Sequence, residues 1–162
     1  MPDTWKPKLL TLATALGVLL LDQASKAWVM AHLPYGHPVP VLDDWLRFVY
    51  IRNPNAVFGI SLGSGAVYLT FTLLAIGVLL ILVFLERSRF LLFLYGLFLG
   101  GALGNLVDRL RWGEVVDFVD MGIGRYRWPG VYNLADAAIS VGIVLYLLHT
   151  FYVWRKQQGE TS

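Results

Sequence analysis

Four long apolar stretches, at about residues 9–31, 66–85, 90–107 and 134–154, set the pattern of this chain. A hydrocarbon core about 30 Å thick takes about 20 residues of helix at 1.5 Å each, so every stretch is long enough to span it. Only a tight polar connector, Glu86-Arg87-Ser88-Arg89, separates the second from the third. Two long mixed connections, at 32–65 and 111–131, separate the others. The pattern predicts an all-α membrane protein of four transmembrane helices, with residues 1–162 forming a single integral-membrane domain. A basic start before a short apolar run also fits a signal peptide, but Asp22 and Lys26 occupy the place of a cleavage site and three more spans follow.

The connections differ in character. In the first, Pro34, Pro38 and Pro40 exclude helix. Residues 39–52 are rich in Val, Trp, Phe, Tyr and Ile and are expected to form short strands. Trp45, Phe48 and Tyr50 suit a surface at headgroup level. Residues 53–59 are turn-rich. The second connection reads as an amphipathic loop of mixed charge, with Trp112 and Trp128 at the interface. His32 and His37 are expected at the surface, and His149 packed on its apolar helix.

Polar residues interrupt the pattern in a restricted set of places. Asp22 and Lys26 are four apart on the first span and share a face, so they can neutralise each other. Asn105, Asp108 and Arg109 directly follow a stripe of Gly96, Gly100 and Gly104 on the third, with Asn105 and Arg109 again four apart. Small residues at that spacing let a second helix approach closely, or leave a gap for an acyl chain. Asp117 follows Val115-Val116, and Asn133 and Asp136 open the fourth span. With four spans, Asp22, Asn105, Asp117, Asn133 and Asp136 all fall near the same interface, although three spans and a loop supply them. Solubilising charges would scatter to both ends. An ionisable residue at membrane depth costs about 2.5–3.5 kcal/mol on insertion scales, so the cluster points to function.

Composition agrees with this picture. The chain is 57% hydrophobic and only 15% charged, against about 25% charged in soluble domains. A net charge of +2 without a long basic run argues against a nucleic-acid partner. There is no cysteine, which excludes disulfides, thiol nucleophiles and thiolate metal sites. Of the 13 lysines and arginines, six lie on the side of the termini and seven on the other, so the count does not fix orientation. The tight basic flanks at Lys6, Lys8, Arg87, Arg89, Arg155 and Lys156 favour cytoplasmic termini.

Two aspartates sharing a low-dielectric site hold one proton between them, and such a dyad can activate water while protonating a leaving group. Asp117 and Asp136 are the best pair because each sits in apolar sequence. Asp108 and Asp120 are rivals, Asp108 reading as a salt-bridge partner of Arg109. Ser25 and Lys26 are adjacent and diverge on a helix, which disfavours a nucleophilic pair. A His-Glu-x-x-His zinc motif is absent, and neither a metal nor another cofactor is expected. A small non-enzymatic transporter or assembly factor would use similar carboxylates and is the alternative reading.

Five segments in order resemble the lipoprotein signal peptidases, the signal peptidase II family of bacterial inner-membrane aspartyl proteases. They are Asp22-Gln23-Ala24-Ser25-Lys26, Asn53-Pro54-Asn55-Ala56-Val57-Phe58-Gly59, Gly104-Asn105-Leu106-Val107-Asp108-Arg109, Val115-Val116-Asp117-Phe118 and Tyr132-Asn133-Leu134-Ala135-Asp136. Asn55 departs from the family's usual glycine. The resemblance implies that Asp117 and Asp136 are catalytic, that Asn53, Asn105, Arg109 and Asn133 line or brace the site, and that Asp22 and Lys26 support it. It also implies a small extracytoplasmic β cradle from the first connection, resting on the outer leaflet. The implied substrates are diacylglyceryl-modified prolipoproteins met among membrane lipids and cut just before the lipidated cysteine. The implied location is the bacterial inner membrane, multi-pass, with the active site near the outer leaflet.

Overall fold

The computed structural model describes residues 5–54 and 65–159. Four helices are long and apolar enough to cross a membrane. They are α1 (Lys6–His32), α2 (Gly65–Leu85), α3 (Arg89–Trp112) and α4 (Leu134–Gly159). The strands are β1 (Val39–Leu42), β2 (Leu46–Asn53), β3 (Val115–Ile123) and β4 (Tyr126–Arg127).

Local signals explain where the helices begin and end. Pro7 stands in the first turn of α1, where a missing N–H leaves nothing unpaired. The Ser88 hydroxyl accepts the Leu91 N–H at 3.4 Å and caps α3. Gly113 ends α3 in the left-handed region at φ 73°, with its N–H on the Arg109 carbonyl. The third helix therefore continues past the apolar run, and Asn105, Asp108 and Arg109 stand on the helix itself.

Helix α3 is the most enclosed of the four and packs between α1 and α4. The glycine stripe is a helix-packing device. A Cβ on Gly96 would lie 2.6 Å from Thr14 Cβ, and one on Gly100 2.6 Å from Val18 Cβ and 2.7 Å from the Ala15 carbonyl oxygen. The Thr11 hydroxyl of α1 donates to the Leu92 carbonyl of α3 at 2.8 Å. On the opposite side, a Cβ on Gly101 would lie 2.6 Å from the Ala135 carbonyl oxygen of α4. Helix α2 instead exposes Phe71, Leu74, Ile81 and Phe84, as an element bordered by lipid does. His149 packs against Phe90 with ring centroids 4.8 Å apart, while His32 and His37 are exposed.

The strands expected in the first connection are β1 and β2. The second connection differs from the amphipathic loop expected of it. Its residues Val115–Ile123 form β3, which pairs antiparallel with β2, Ile51 opposite Asp117 and Asn53 opposite Val115. The whole sheet runs β1-β2-β3-β4, so both connections join in one antiparallel unit at one end of the helices. The first six residues of β3 are almost all buried, which removes the apolar/polar alternation that marks a strand with one wet face. Of the turn-rich segment 53–59, residues 55–59 lie outside the described residues, and so does the unusual Asn55.

Candidate active site

The residues singled out in the sequence meet where α1, α3, β3 and the start of α4 converge. Asn133 is the joint. Placed just before α4, its side-chain oxygen accepts the Asp136 N–H at 3.0 Å, and its own N–H points to Asp136 Oδ2 at 3.3 Å. This reciprocal arrangement is a capping box built from Asn and Asp. The Asn133 Nδ2 donates to Asp117 Oδ1 at 2.7 Å. One residue thus holds both carboxylates.

Two further amides complete the ring. Asn53 Nδ2, at the end of β2, donates to Asp117 Oδ2 at 2.8 Å. Asn105 Nδ2, on α3, donates to Asp136 Oδ1 at 2.8 Å. Asp117 is 2% exposed and Asp136 9%. Burial first, and the nearby Asp136 charge second, push the Asp117 carboxyl up to about 7, against the opposing bonds from Asn53 and Asn133.

Beneath this ring lies a buried ion cluster. Lys26 is 1% exposed and spends its three protons on Asp22 Oδ2 and Asp108 Oδ2, both at 2.8 Å, and on Asn105 Oδ1 at 3.1 Å. Isolated charges at this depth are costly, and extra donors on each carboxylate are what make such a cluster tolerable. Gln23 Nε2 reaches Asp108 Oδ1 at 3.0 Å and Asp22 Oδ2 at 3.2 Å. The Val116 N–H donates to Asp108 Oδ2 at 3.1 Å, and the Ala135 N–H to Asp22 Oδ1 at 2.9 Å. Among the described residues, no buried side-chain nitrogen or oxygen lacks a partner.

Every residue proposed from the sequence for this site is described, and Asp22, Lys26, Asn53, Asn105, Asn133, Asp117 and Asp136 form one connected network. Arg109 lies beside it, half-buried, with its guanidinium carbon 6.0 Å from the centre of the Tyr68 ring and Nη1 donating to the Asn105 carbonyl at 3.5 Å. The pairing of Asp108 with Arg109 is corrected. Adjacent side chains on a helix diverge, and Asp108 turns inward to Lys26. Asp120 is committed elsewhere, to Arg47 Nη2 at 2.5 Å and Arg127 Nε at 3.0 Å. Gln23 belongs to the Lys26 cluster as well, although the sequence reading assigns it no role. Its signal was its place in a polar run inside an otherwise apolar span. Next to Asp136, a cavity of about 380 Å³ opens between α4 and residues 128–132, lined by Met121, Trp128, Tyr132, Ser140 and Val141 among others.

Residues 14–152 match the family model described as Signal peptidase (SPase) II. The chain is 44% identical over 146 residues to the lipoprotein signal peptidase of Syntrophus aciditrophicus (strain SB), covering 86% of this chain and 90% of that one. It is 39% identical over 169 residues to the lipoprotein signal peptidase of Shewanella sp. (strain MR-4), covering 100% and 98% of the two. Its fold superposes on a bacterial membrane enzyme solved by the in meso method at 2.3 Å resolution, with a TM-score of 0.79, 26% identity and coverage of 88% and 87%. With a match running through all four helices and the sheet, the chain belongs to the signal peptidase II family.

Proposed function

We propose that Asp117 and Asp136 are the catalytic dyad with which this chain cleaves signal peptides from prolipoproteins. As a family member it is a multi-pass bacterial membrane protein and an aspartic peptidase, and the transporter alternative has no support. The observation that carries the dyad is Asn133 bonding both carboxylates, Asp117 from its amide and Asp136 from its backbone N–H. With its carboxyl near 7, Asp117 itself is about half protonated at neutral pH, which suits a dyad that shares a proton. The ionised member takes a proton from water as its oxygen attacks the scissile carbonyl. The protonated member delivers its proton toward the departing nitrogen as the C–N bond breaks. No covalent intermediate forms.

Asn53, Asn105 and Asn133 orient the two carboxylates in this reading, Asp22 and Lys26 support them, and Arg109 lines the approach. The substrate is a diacylglyceryl-modified prolipoprotein cut just before its lipidated cysteine. The apolar cavity beside Asp136 favours a substrate with apolar groups at the scissile bond. The termini are cytoplasmic, and the dyad works near the outer leaflet under the sheet.

Cleavage of a diacylated model prolipoprotein by the purified protein tests the dyad. Asp117→Asn, Asp136→Asn and the double variant are expected to fall to about the same residual rate, since residues that act as a unit lose activity non-additively. A folded single variant that keeps more than about a tenth of the wild-type rate removes that residue from the dyad.

A further inference from the structure

Resting on the assignment of Asp117 and Asp136 as the dyad, we infer that Asp108, Lys26 and Asp22 form a buried calliper that sets the separation of the two catalytic carboxylates, with Asp108 the positioning residue for Asp117. The two aspartates come from different elements, a strand and a helix, so their spacing is a tertiary property. The cluster reaches the backbone immediately before each of them. Asp108 Oδ2 accepts the N–H of Val116, the residue preceding Asp117, at 3.1 Å. Asp22 Oδ1 accepts the N–H of Ala135, the residue preceding Asp136, at 2.9 Å. Lys26 bridges the two carboxylates at 2.8 Å each. The path Val116–Asp108–Lys26–Asp22–Ala135 is closed to water, with Val116 and Lys26 1% exposed and Asp22 and Ala135 fully buried.

Other features brace the same path. Gln23 donates to both carboxylates and to the Gly104 carbonyl at 3.2 Å. Glycine at 104 is required by the calliper, because a Cβ there would lie 2.5 Å from Asp22 Oδ2. The chemistry explains why the arms are carboxylates. Asp108 meets three donors, Lys26, Gln23 and the Val116 N–H, and only an ionised carboxylate accepts from all of them without presenting a donor of its own. The Ala135 N–H lies in the first turn of α4, whose free N–H groups favour the negative charge of Asp22. An ion cluster in a dry interior is stiff, and stiffness matters here because a misplacement of about 1 Å in a catalytic geometry can cost about 10²-fold in rate.

The test compares Asp108→Asn and Asp108→Ala, with Asp117→Asn as the inactive reference. Turnover of a diacylated prolipoprotein is measured in detergent, with thermal unfolding used to count folded enzyme. Asp108→Ala removes the acceptor that holds Val116, and its kcat is expected to fall about 10²-fold with KM nearly unchanged. Asp108→Asn keeps an oxygen for Lys26 and the Val116 N–H and gives up only the bond from Gln23, which stays on Asp22 and Gly104, so it is expected to be clearly faster than Asp108→Ala per folded molecule. A role confined to stability would lower the folded fraction of both and leave kcat alone, which overturns the proposal. Equal kcat for the two variants, or a loss carried by KM, also overturns it. Should Asp108→Ala fail to fold, Asp108→Ser, whose hydroxyl stops short of Val116, is held to the same comparison. An active Asp117→Asn would instead sink the dyad assignment itself, so the two failures are told apart.

Discussion

Lys26 donates to the amide oxygen of Asn105 at 3.1 Å, as Asn133 Nδ2 does at 3.1 Å, and these contacts decide which way the Asn105 amide faces. An ammonium has only donors, so the oxygen must turn toward it and the NH₂ toward Asp136, where it donates at 2.8 Å. Asn105→Leu keeps the size and removes all three side-chain bonds, leaving a buried proton of Lys26 and an oxygen of Asp136 unpaired, while Asn133 Nδ2 keeps Asp117. Each unpaired buried group costs about 1–3 kcal/mol, more when charged. A lowered unfolding temperature and a lost turnover are expected together. A stable, fully active Asn105→Leu would show that the amide does not orient Asp136.

The pH dependence follows from Asp117. With its carboxyl near 7, Asp117 gives up its proton as pH rises through neutrality, and kcat/KM is expected to decline through a limb near pH 7. Stability moves in the same window. The folded chain keeps a proton that the unfolded chain releases near 3.8, so stability from Asp117 is complete below 3.8 and is lost as pH rises to about 7. Asp117→Asn has no such titration. The unfolding temperature of wild type minus that of Asp117→Asn should therefore shrink from pH 4 to pH 8. A difference that grows over this range contradicts a raised carboxyl.

The glycines make a structural prediction. A Cβ at Gly100 meets the Ala15 carbonyl oxygen at 2.7 Å, and backbone cannot turn aside. Gly100→Ala should destabilise by about 1–3 kcal/mol through overpacking. A Cβ at Gly77 on α2 has nothing within 4 Å, so Gly77→Ala should be neutral or stabilise by about 0.5–1 kcal/mol through helix propensity. Thermal unfolding in one detergent compares them.

What the sequence made legible follows from what each element depends on. The four helices rest on uninterrupted apolar runs, a property of the segment itself, and β2 on its Val and aromatic content. Strand β3 depends on pairing with β2, and its burial on nearly every early residue erases the alternation that announces a strand. The convergence of Asp22, Asn105, Asp117, Asn133 and Asp136 could be read because four spans dictate which ends meet. The partners of Asp108 could not be read the same way. They are Lys26 and Gln23, which the packing of α1 against α3 brings to it, and a backbone N–H eight residues on, which the turn at Gly113 from α3 into β3 folds back to it. The Asp108 reading failed for a local reason as well, since adjacency on a helix separates side chains. The spacing of three between Asn105 and Asp108, which puts both on one face, was the better signal.

Orientation can be tested on this chain because it has no cysteine. Arg125, at the exposed β3–β4 turn, and Gln158, near the exposed end of α4, lie at opposite ends of the helices. Cytoplasmic termini predict that Arg125→Cys reacts with an impermeant thiol reagent added to intact cells and Gln158→Cys does not. The reverse pattern would place the sheet and the dyad on the cytoplasmic side.

The lipid on the substrate is expected to supply most of its recognition. Asp117 and Asp136 lie where helix ends meet the sheet, and exposed Trp45 and Trp128 flank its strands β2 and β4, aromatic residues suited to headgroup depth. A peptide that reaches this depth must already lie in the membrane. Each buried CH₂ of an acyl chain contributes about 0.8 kcal/mol to anchoring, so two chains hold the modified cysteine firmly at the interface. That anchoring fixes how deep the scissile bond sits, as well as how often it arrives. The glycine stripe cannot take the chains where it faces α1, because Thr14 and Val18 already fill the space over Gly96 and Gly100. The cavity bounded by Met121, Trp128, Ser140 and Val141 is open beside Asp136 and can receive an apolar group. An unlipidated precursor keeps its signal helix but loses the depth register, so its turnover should be far slower even at saturating concentration. The comparison uses one precursor with and without the diacylglyceryl group in the same detergent. Equal kcat for the two forms would remove the lipid from recognition and leave the aspartates in place.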